Sequence, residues 1–590
     1  MLSRIKSKNY CFMLIMMSVL AVLFYRSVFW VDSVISTRKM VSLFIIVIGV
    51  VVIPAVSVFI SPINNKITNF LSRCVKFFQY VKRNIVKICV IAGIYACILL
   101  FSYAIEFGLR LLFDGKEFNF MRYNIIVSFN TIIYCFVLVR KILNTKPEIV
   151  FVVVALILGL TYVNVTPPIV GVSWDDQIHY ERTLMFANSF NGVFFAADSK
   201  MIVECENNSK TKMAYDINSR KQYLNELTTM YNNKELVPYP MSYIGTSMVC
   251  YIPAAIGIVL ARGAGLSYVN IFNFGRICNL LFYIIILYFA IKKLKNGKIF
   301  ATVLGLLPVN VFLATSYSHD VWLISFTVLG LACLFSSIQE SDGKKSVKNI
   351  LLGILLISIG CLAKQVYFPL IFISVFVAIY RFRKTGRKKI CAVTAVALVA
   401  SVILLASFIV PMMIAPATAT DTRGGADVNA VQQISFVLHN PLVYAKTLFS
   451  FLKTYLSIEG MSYFTYFAYV GYGDYWGVAA VTLIMTAFFD KSRKKCDYRF
   501  VKVAGILLSF ASIILVASAL YAAFTPVGAD IIAGCQQRYI LPVLFPTLYL
   551  IAPDGVDIRF NKKLLIVVPV IIMSLVSLNS LFYLCAALYV

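Results

Sequence analysis

Two adjacent carboxylates, Asp175 and Asp176, with His179, Glu181 and Arg182 behind them, form the string SWDDQIHYER at residues 173–182, directly after an apolar run at about 148–167. Ionisable groups at the mouth of a membrane segment are costly to desolvate, and such groups mark functional sites. The same residues also fit a solvated helix start, with Ser173 or Asp175 as N-cap and the other charges facing water. Three further places carry groups that could join them. His319 and Asp320 end an apolar run, Lys364 lies between two short apolar runs, and Arg538 follows Gln536 and Gln537 at the start of another. For each, a plain structural role competes: Asp320 as an N-cap, Lys364 as a snorkelling side chain, Arg538 as an interfacial anchor.

These residues are positioned by membrane helices. The chain of 590 residues is 60% hydrophobic and 14% charged, and apolar runs of helix-spanning length recur along it, which excludes a water-soluble globule and predicts an all-α, polytopic transmembrane protein of about 15 spans. The formal charge of +28 is carried by short loops between apolar runs, where basic residues set orientation, so it does not point to nucleic acid. With the N-terminus inside and an uncleaved first helix, the predicted cytoplasmic loops gather well over half of the 54 basic residues. This assignment requires the stretch 241–261 to be interfacial or re-entrant. It puts two long regions, 168–265 and 415–474, on the outer face as a layer of short helices, the second with an amphipathic helix interleaving Lys446 and Lys453 with apolar residues.

Several local readings follow. Glu106 and Arg110 sit at i, i+4 on the third span and are expected to neutralise each other. Arg276, two turns into a span, is expected to pair internally. Of the 14 cysteines, Cys205 and Cys535 are the two placed outside, where pairing between them is open. The tyrosine-dense stretch at 461–476 reads first as an aromatic membrane belt and second as a surface for a sugar ring.

An acidic pair at the outer end of a span, a surface helix, and a second acidic residue at the outer end of a returning span together resemble the GT-C superfamily of integral membrane glycosyltransferases, over roughly residues 150–590. The strings most resemble a bacterial family of polytopic proteins predicted to be glycosyltransferases. DDQIH (175–179) is similar to its acid-acid-x-x-His signature, with Asp176 where Glu is usual. Tyr239-Pro240 and YIP (251–253), GRICN (275–279), SYSHD (316–320), LAKQVYFP (362–369) and QQRYILP (536–542) follow in the same order. The resemblance divides the chain into a four-helix module at 1–147 and a GT-C-like membrane domain at 148–590.

What the resemblance implies is transfer of a sugar from a polyprenyl-phosphate carrier to a glycan or lipid acceptor of the cell envelope, with inversion, at the outer face of the bacterial cytoplasmic membrane. Asp175, Asp176 and Asp320 would be the catalytic carboxylates, either of the first two serving as the base that takes the acceptor's proton. His179, Arg182, His319, Lys364, Gln537, Arg538 and Tyr539 would bind substrate, Lys364 and Arg538 facing the carrier phosphate. A divalent cation, Mg or Mn, is used by some GT-C enzymes and not by others, and two or three carboxylates in sequence do not decide it. A flippase or transporter of lipid-linked saccharides, or a polymerase or ligase of them, is the alternative function.

Overall fold

The computed structural model describes residues 8–29, 37–48, 79, 84–114, 118–138, 146–189, 191–207, 217–238, 245–383, 386–414, 428–457, 459–490, 498–553 and 562–586. Among them the chain is helical almost throughout, and nine helices are long and apolar enough to cross a membrane. The expected membrane class is therefore correct. Three other apolar runs are shorter: Trp476–Phe489 is a 14-residue helix, Leu541–Ile551 has 11 residues, and the run at 299–316 is two helices, Lys298–Gly305 and Pro308–Ala314. Pro308 causes that break, because it has no N–H to give the preceding turn. Of the expected second span at 40–60, residues 49–60 lie outside the described residues, as does the Tyr239-Pro240 string.

Three spans hold the site. The leading span Pro147–Val165 runs into the 171–176 loop, the long span Tyr268–Lys293 packs beside it, and the second-acid span Asp320–Ile338 packs on the long span and on the helix Gly343–Cys361. Gly330 and Gly353 let the last two approach backbone to backbone, since a Cβ on Gly330 would stand 2.9 Å from the Gly353 carbonyl. The long span is the clamp. Buried Arg276 donates through Nε to the Thr315 carbonyl (2.6 Å) and through Nη1 to Asn273 Oδ1 (3.1 Å), and Nη2 reaches the Thr166 hydroxyl. Asn279 donates to the Ser316 carbonyl at 2.8 Å. The end of the leading span and the turn before Asp320 are thus tied to one helix face. Arg276 is held internally as expected, with backbone, hydroxyl and amide oxygens among its acceptors.

The outer layer begins with the site helix Asp176–Ala187, followed by the helices Ala196–Asn207 and Ile217–Asn232. A two-stranded antiparallel ribbon, Val193–Phe195 with Leu236–Pro238, frames those two helices. The stretch expected to be interfacial is a 3₁₀ turn, Thr246–Tyr251, and a helix, Ile252–Gly263, which lies against the long span. Both of its ends touch the same outer layer. Tyr251 meets His179, while Arg262 bonds Asn188 and pairs with Asp198 at 3.2 Å. Asp198 also accepts from the hydroxyls of Tyr180 (2.7 Å) and Tyr268 (3.0 Å), so this buried charge is paired and fully hydrogen-bonded.

One local expectation is corrected and one open pairing is decided. Glu106 pairs with Arg122 of the neighbouring helix at 3.0 Å and accepts from the Asn119 N–H, while Arg110 lies over the Phe107 ring, so Arg110 is not its partner. A buried carboxylate in an apolar bundle gains more from a guanidinium across the helix pair than from one on its own exposed face. Cys205 and Cys535 are both free thiols, one buried in the outer layer and the other against Tyr455.

The basic linkers gather at the opposite end of the bundle. There Lys293 meets Asn349, Lys295 meets Glu340, Arg381 reaches the Glu340 carbonyl, and half-buried Asp490 accepts from the backbone N–H of Phe300. By the positive-inside rule that end is the one expected to face the cytoplasm. Thiol labelling of intact cells should therefore reach a cysteine introduced at Asn225 and miss those at Lys345 and Lys388. Labelling at Lys345 from outside would invert the topology.

Candidate functional site

Asp175, immediately before the site helix, has left-handed backbone, φ +51°, and its side chain makes no capping bond. Only Gly, Asn and Asp visit that region readily, so this carboxylate is held out at some conformational cost. Its neighbour does the opposite. Asp176 turns both oxygens back into the 171–173 loop, accepting from the N–H groups of Gly171 (2.7 Å), Val172 (3.2 Å) and Ser173 (2.9 Å). Burial pushes its pKa up to about 6 against the pull of those three donors, with Asp175 adding to the rise. Of the two candidate bases, Asp175 is the one with a solvent-reaching carboxylate, its side chain 21% exposed. Asp176 shapes the loop that presents it.

The guanidinium of Arg538 bridges two acids. Nη2 donates to Asp175 Oδ2 at 2.9 Å, and Nη1 stands 3.1 Å from Asp320 Oδ2 as an ion pair without hydrogen-bond alignment. Lys364 Nζ closes the chain on Asp320 Oδ1 at 2.5 Å. Lys364 is available because the helix Gly343–Cys361 ends there and the 3₁₀ segment Gln365–Phe372 begins, so its side chain turns inward at the break. Burial, offset in part by Asp320, brings the Lys364 pKa down to about 8. For Arg538 burial opposes the charge, but Asp320, Tyr539 and Asp175 outweigh it and keep the group cationic.

Aromatic rings wall the cations. Lys364 Nζ lies 4.0 Å from the Tyr539 ring centroid, and the Arg538 guanidinium lies 5.1 Å from that of Trp174. Trp174 stacks on Tyr466 at 5.7 Å, and Tyr466 on Tyr472 at 6.1 Å, making a ladder that ends on an exposed ring. The tyrosine-dense stretch is thus folded over the site for at least part of its length.

On the other side His179, His319 and Tyr251 meet. The Tyr251 hydroxyl is 2.8 Å from His179 Nδ1 and 3.2 Å from His319 Nδ1, and the two Nδ1 atoms are 3.2 Å apart. Two imidazole nitrogens at that distance need one donor and one acceptor, so both rings cannot be protonated at once. Burial, with Lys364 and Arg538 adding to it, pushes His319 down to about 3, and burial likewise lowers His179 well below its ordinary value. Arg182 is half-buried beside Tyr251. Gln537 is the outlier of the set: its carbonyl accepts from Tyr455 at 3.3 Å, in a groove next to the ion chain. Tyr251, Trp174 and Tyr466 complete the arrangement. Tyr251 stands in the quoted YIP string and Trp174 directly before Asp175, but in a chain with 14% aromatic residues neither is distinctive.

A divalent cation shared by Asp175 and Asp320 does not fit this donor set. Arg538 occupies the position between the two carboxylates, Lys364 takes the remaining Asp320 oxygen, and no group of three His, Cys, Asp or Glu suited to a metal occurs among the described residues. What the arrangement offers is one accessible carboxylate beside two cations walled by aromatic rings.

A family model described as "Predicted membrane protein (DUF2142)" matches residues 156–546. No curated protein and no solved structure matches the chain.

The two neighbouring acids should separate by readout. Asp176→Asn leaves at least one of three backbone donors without its acceptor, a loss of about 1–3 kcal/mol, and should lower the unfolding midpoint of the detergent-solubilised protein. Asp175→Asn, which suits left-handed backbone, should not. Equal midpoints would remove the structural role given to Asp176.

Proposed function

The chain belongs to the DUF2142 family of predicted membrane proteins, and from that premise we propose that it is an inverting glycosyltransferase using a polyprenyl-phosphate-linked sugar at the outer face of the bacterial cytoplasmic membrane. The observation that carries the reading is the ion chain Asp175–Arg538–Asp320–Lys364, with its one accessible carboxylate at the mouth of a membrane helix. In the reaction, Asp175 takes the proton of an acceptor hydroxyl as its oxygen attacks the anomeric carbon. The bond from that carbon to the phosphate oxygen breaks, its electron pair leaves with the phosphate, and Arg538 and Lys364 stabilise the charge that develops there. Phosphate is a good leaving group, so no general acid is needed. Asp320 holds both cations in place, and the neutral His179–Tyr251–His319 cluster supplies polar contacts without adding charge.

The acceptor is a glycan or lipid of the cell envelope, and the order of the motifs along the chain supports the same reading. Two cations and two carboxylates balance in the resting site, which suits a ligand that brings its own negative charge and takes over a cation as it arrives.

Sugar transfer in membranes at matched protein level tests this. Asp175→Asn should insert and express normally while transfer falls roughly 100-fold or more. Near wild-type transfer by that variant would end the assignment of Asp175 as base. Arg538→Gln and Lys364→Gln should each weaken use of the carrier by about 1.5–3 kcal/mol, the range for a charge-assisted phosphate contact. If both variants keep the wild-type dependence on carrier concentration, the phosphate does not sit on these cations.

A further inference from the structure

Beyond the ion chain, the outer layer holds a groove of about 550 Å³ between the amphipathic helix Pro441–Tyr455 and the loop 530–537. The helix has two different sides. Leu442 and Phe449, seven residues apart, are 85% and 72% exposed and form an apolar stripe, while Thr447, Ser450, Phe451, Thr454 and Tyr455 line the groove. A helix whose groove side carries hydroxyls is not packed as core.

Ser457 and Ser462 extend the hydroxyl lining, and Asp530 and Gln537 face them from the opposite wall. Among the described residues that line the groove there is no Lys, Arg or His, and Asp530 is the charged one. Phe451 and Tyr455 stack at 5.0 Å and 21° within the wall. Hydroxyls, one carboxylate, an amide and flat aromatic surface are the groups that recognise a sugar's hydroxyls and its apolar ring faces. With a carboxylate and no cation, the same lining disfavours a polyanion.

The inner end of the groove is bonded to the ion chain. Tyr455 Oη donates to the carbonyls of Gln536 (3.0 Å) and Gln537 (3.3 Å), and the next residue is Arg538. We propose that this groove is the acceptor site and that it takes an uncharged, hydroxyl-rich glycan segment, leading its terminal hydroxyl toward Asp175. The assignment of this ligand as acceptor rests on the glycosyltransferase reading. The carbohydrate specificity of the groove rests on its lining alone.

The test uses the full chain purified in detergent and two probes. One is an uncharged oligosaccharide fraction released from the envelope of the expressing cell. The other is the same fraction with its primary alcohols oxidised to carboxylates. The wild type should bind the first and bind the oxidised probe more weakly. Ser450→Trp, at an exposed position of the helix, fills the groove and should weaken binding at least about tenfold, and Thr454→Ala should weaken it severalfold. In the transfer assay both variants should raise the KM for added glycan while leaving kcat and the dependence on donor unchanged. Equal binding by wild type and Ser450→Trp, preference for the oxidised probe, or no binding by the wild type would each overturn the groove. Binding that the variants lose, in a wild type that transfers no sugar, would keep the groove and reject the glycosyltransferase reading. Transfer by the wild type with KM unmoved in both variants would do the reverse.

Discussion

A buried guanidinium must find negative charge, and in this protein that requirement determines which distant parts of the chain come together. Arg538 is 3% exposed, and burying an unpaired cation in a membrane bundle costs several kcal/mol. Asp175, 363 residues away in sequence, and Asp320 repay that cost, and Lys364 offsets the second charge on Asp320. The pairing is mutual, because Asp320 is as deeply buried as Arg538. Removing either buried member, Arg538 or Asp320, leaves an uncompensated charge in a medium that penalises it, so these two fold as one unit with Lys364 while the more exposed Asp175 is held at their edge. The rings of Trp174 and Tyr539 complete the enclosure by giving both cations aromatic faces in place of water.

The scaffold brings the partners within reach by satisfying backbone groups at helix ends. Spans that end at one level expose carbonyls there, and Arg276 and Asn279 collect those of residues 315 and 316 on one face of the long span. Tyr317 adds its hydroxyl to the Phe272 carbonyl at 2.7 Å, where Gly275 leaves room for its ring. The turn that delivers His319 and Asp320 is thus held by bonds other than the ion pairs. The outer layer has its own centre, Asp198 with Arg262 and two tyrosines, which keeps the site helix and the helix Ile252–Gly263 side by side.

Much of this was legible in the sequence because ionisable residues are rare in apolar surroundings. Asp175, Asp320, Lys364 and Arg538 could be picked out one by one, and the structure joins all four. Their pairing was not legible, since no local pattern tells Arg538 which acids it will meet. The division of labour between Asp175 and Asp176 was hidden for a related reason: it depends on a single left-handed residue, and Asp is tolerated there without being required. Glu106 shows the opposite error, where a good local rule at i, i+4 yielded to a partner on another helix. Arg262 and Asp198 went unremarked because each reads alone as an ordinary polar residue of an outer loop.

The aromatic ladder makes the outer cover and the ion chain one mechanical part. The segment bearing Tyr466 and Tyr472 cannot lift without sliding Tyr466 off Trp174, and Trp174 is bonded in sequence to Asp175, whose backbone also meets the Tyr469 hydroxyl. From the exposed Tyr472 ring to the carboxylate that Arg538 holds, the connection is thus two ring stacks and one peptide bond.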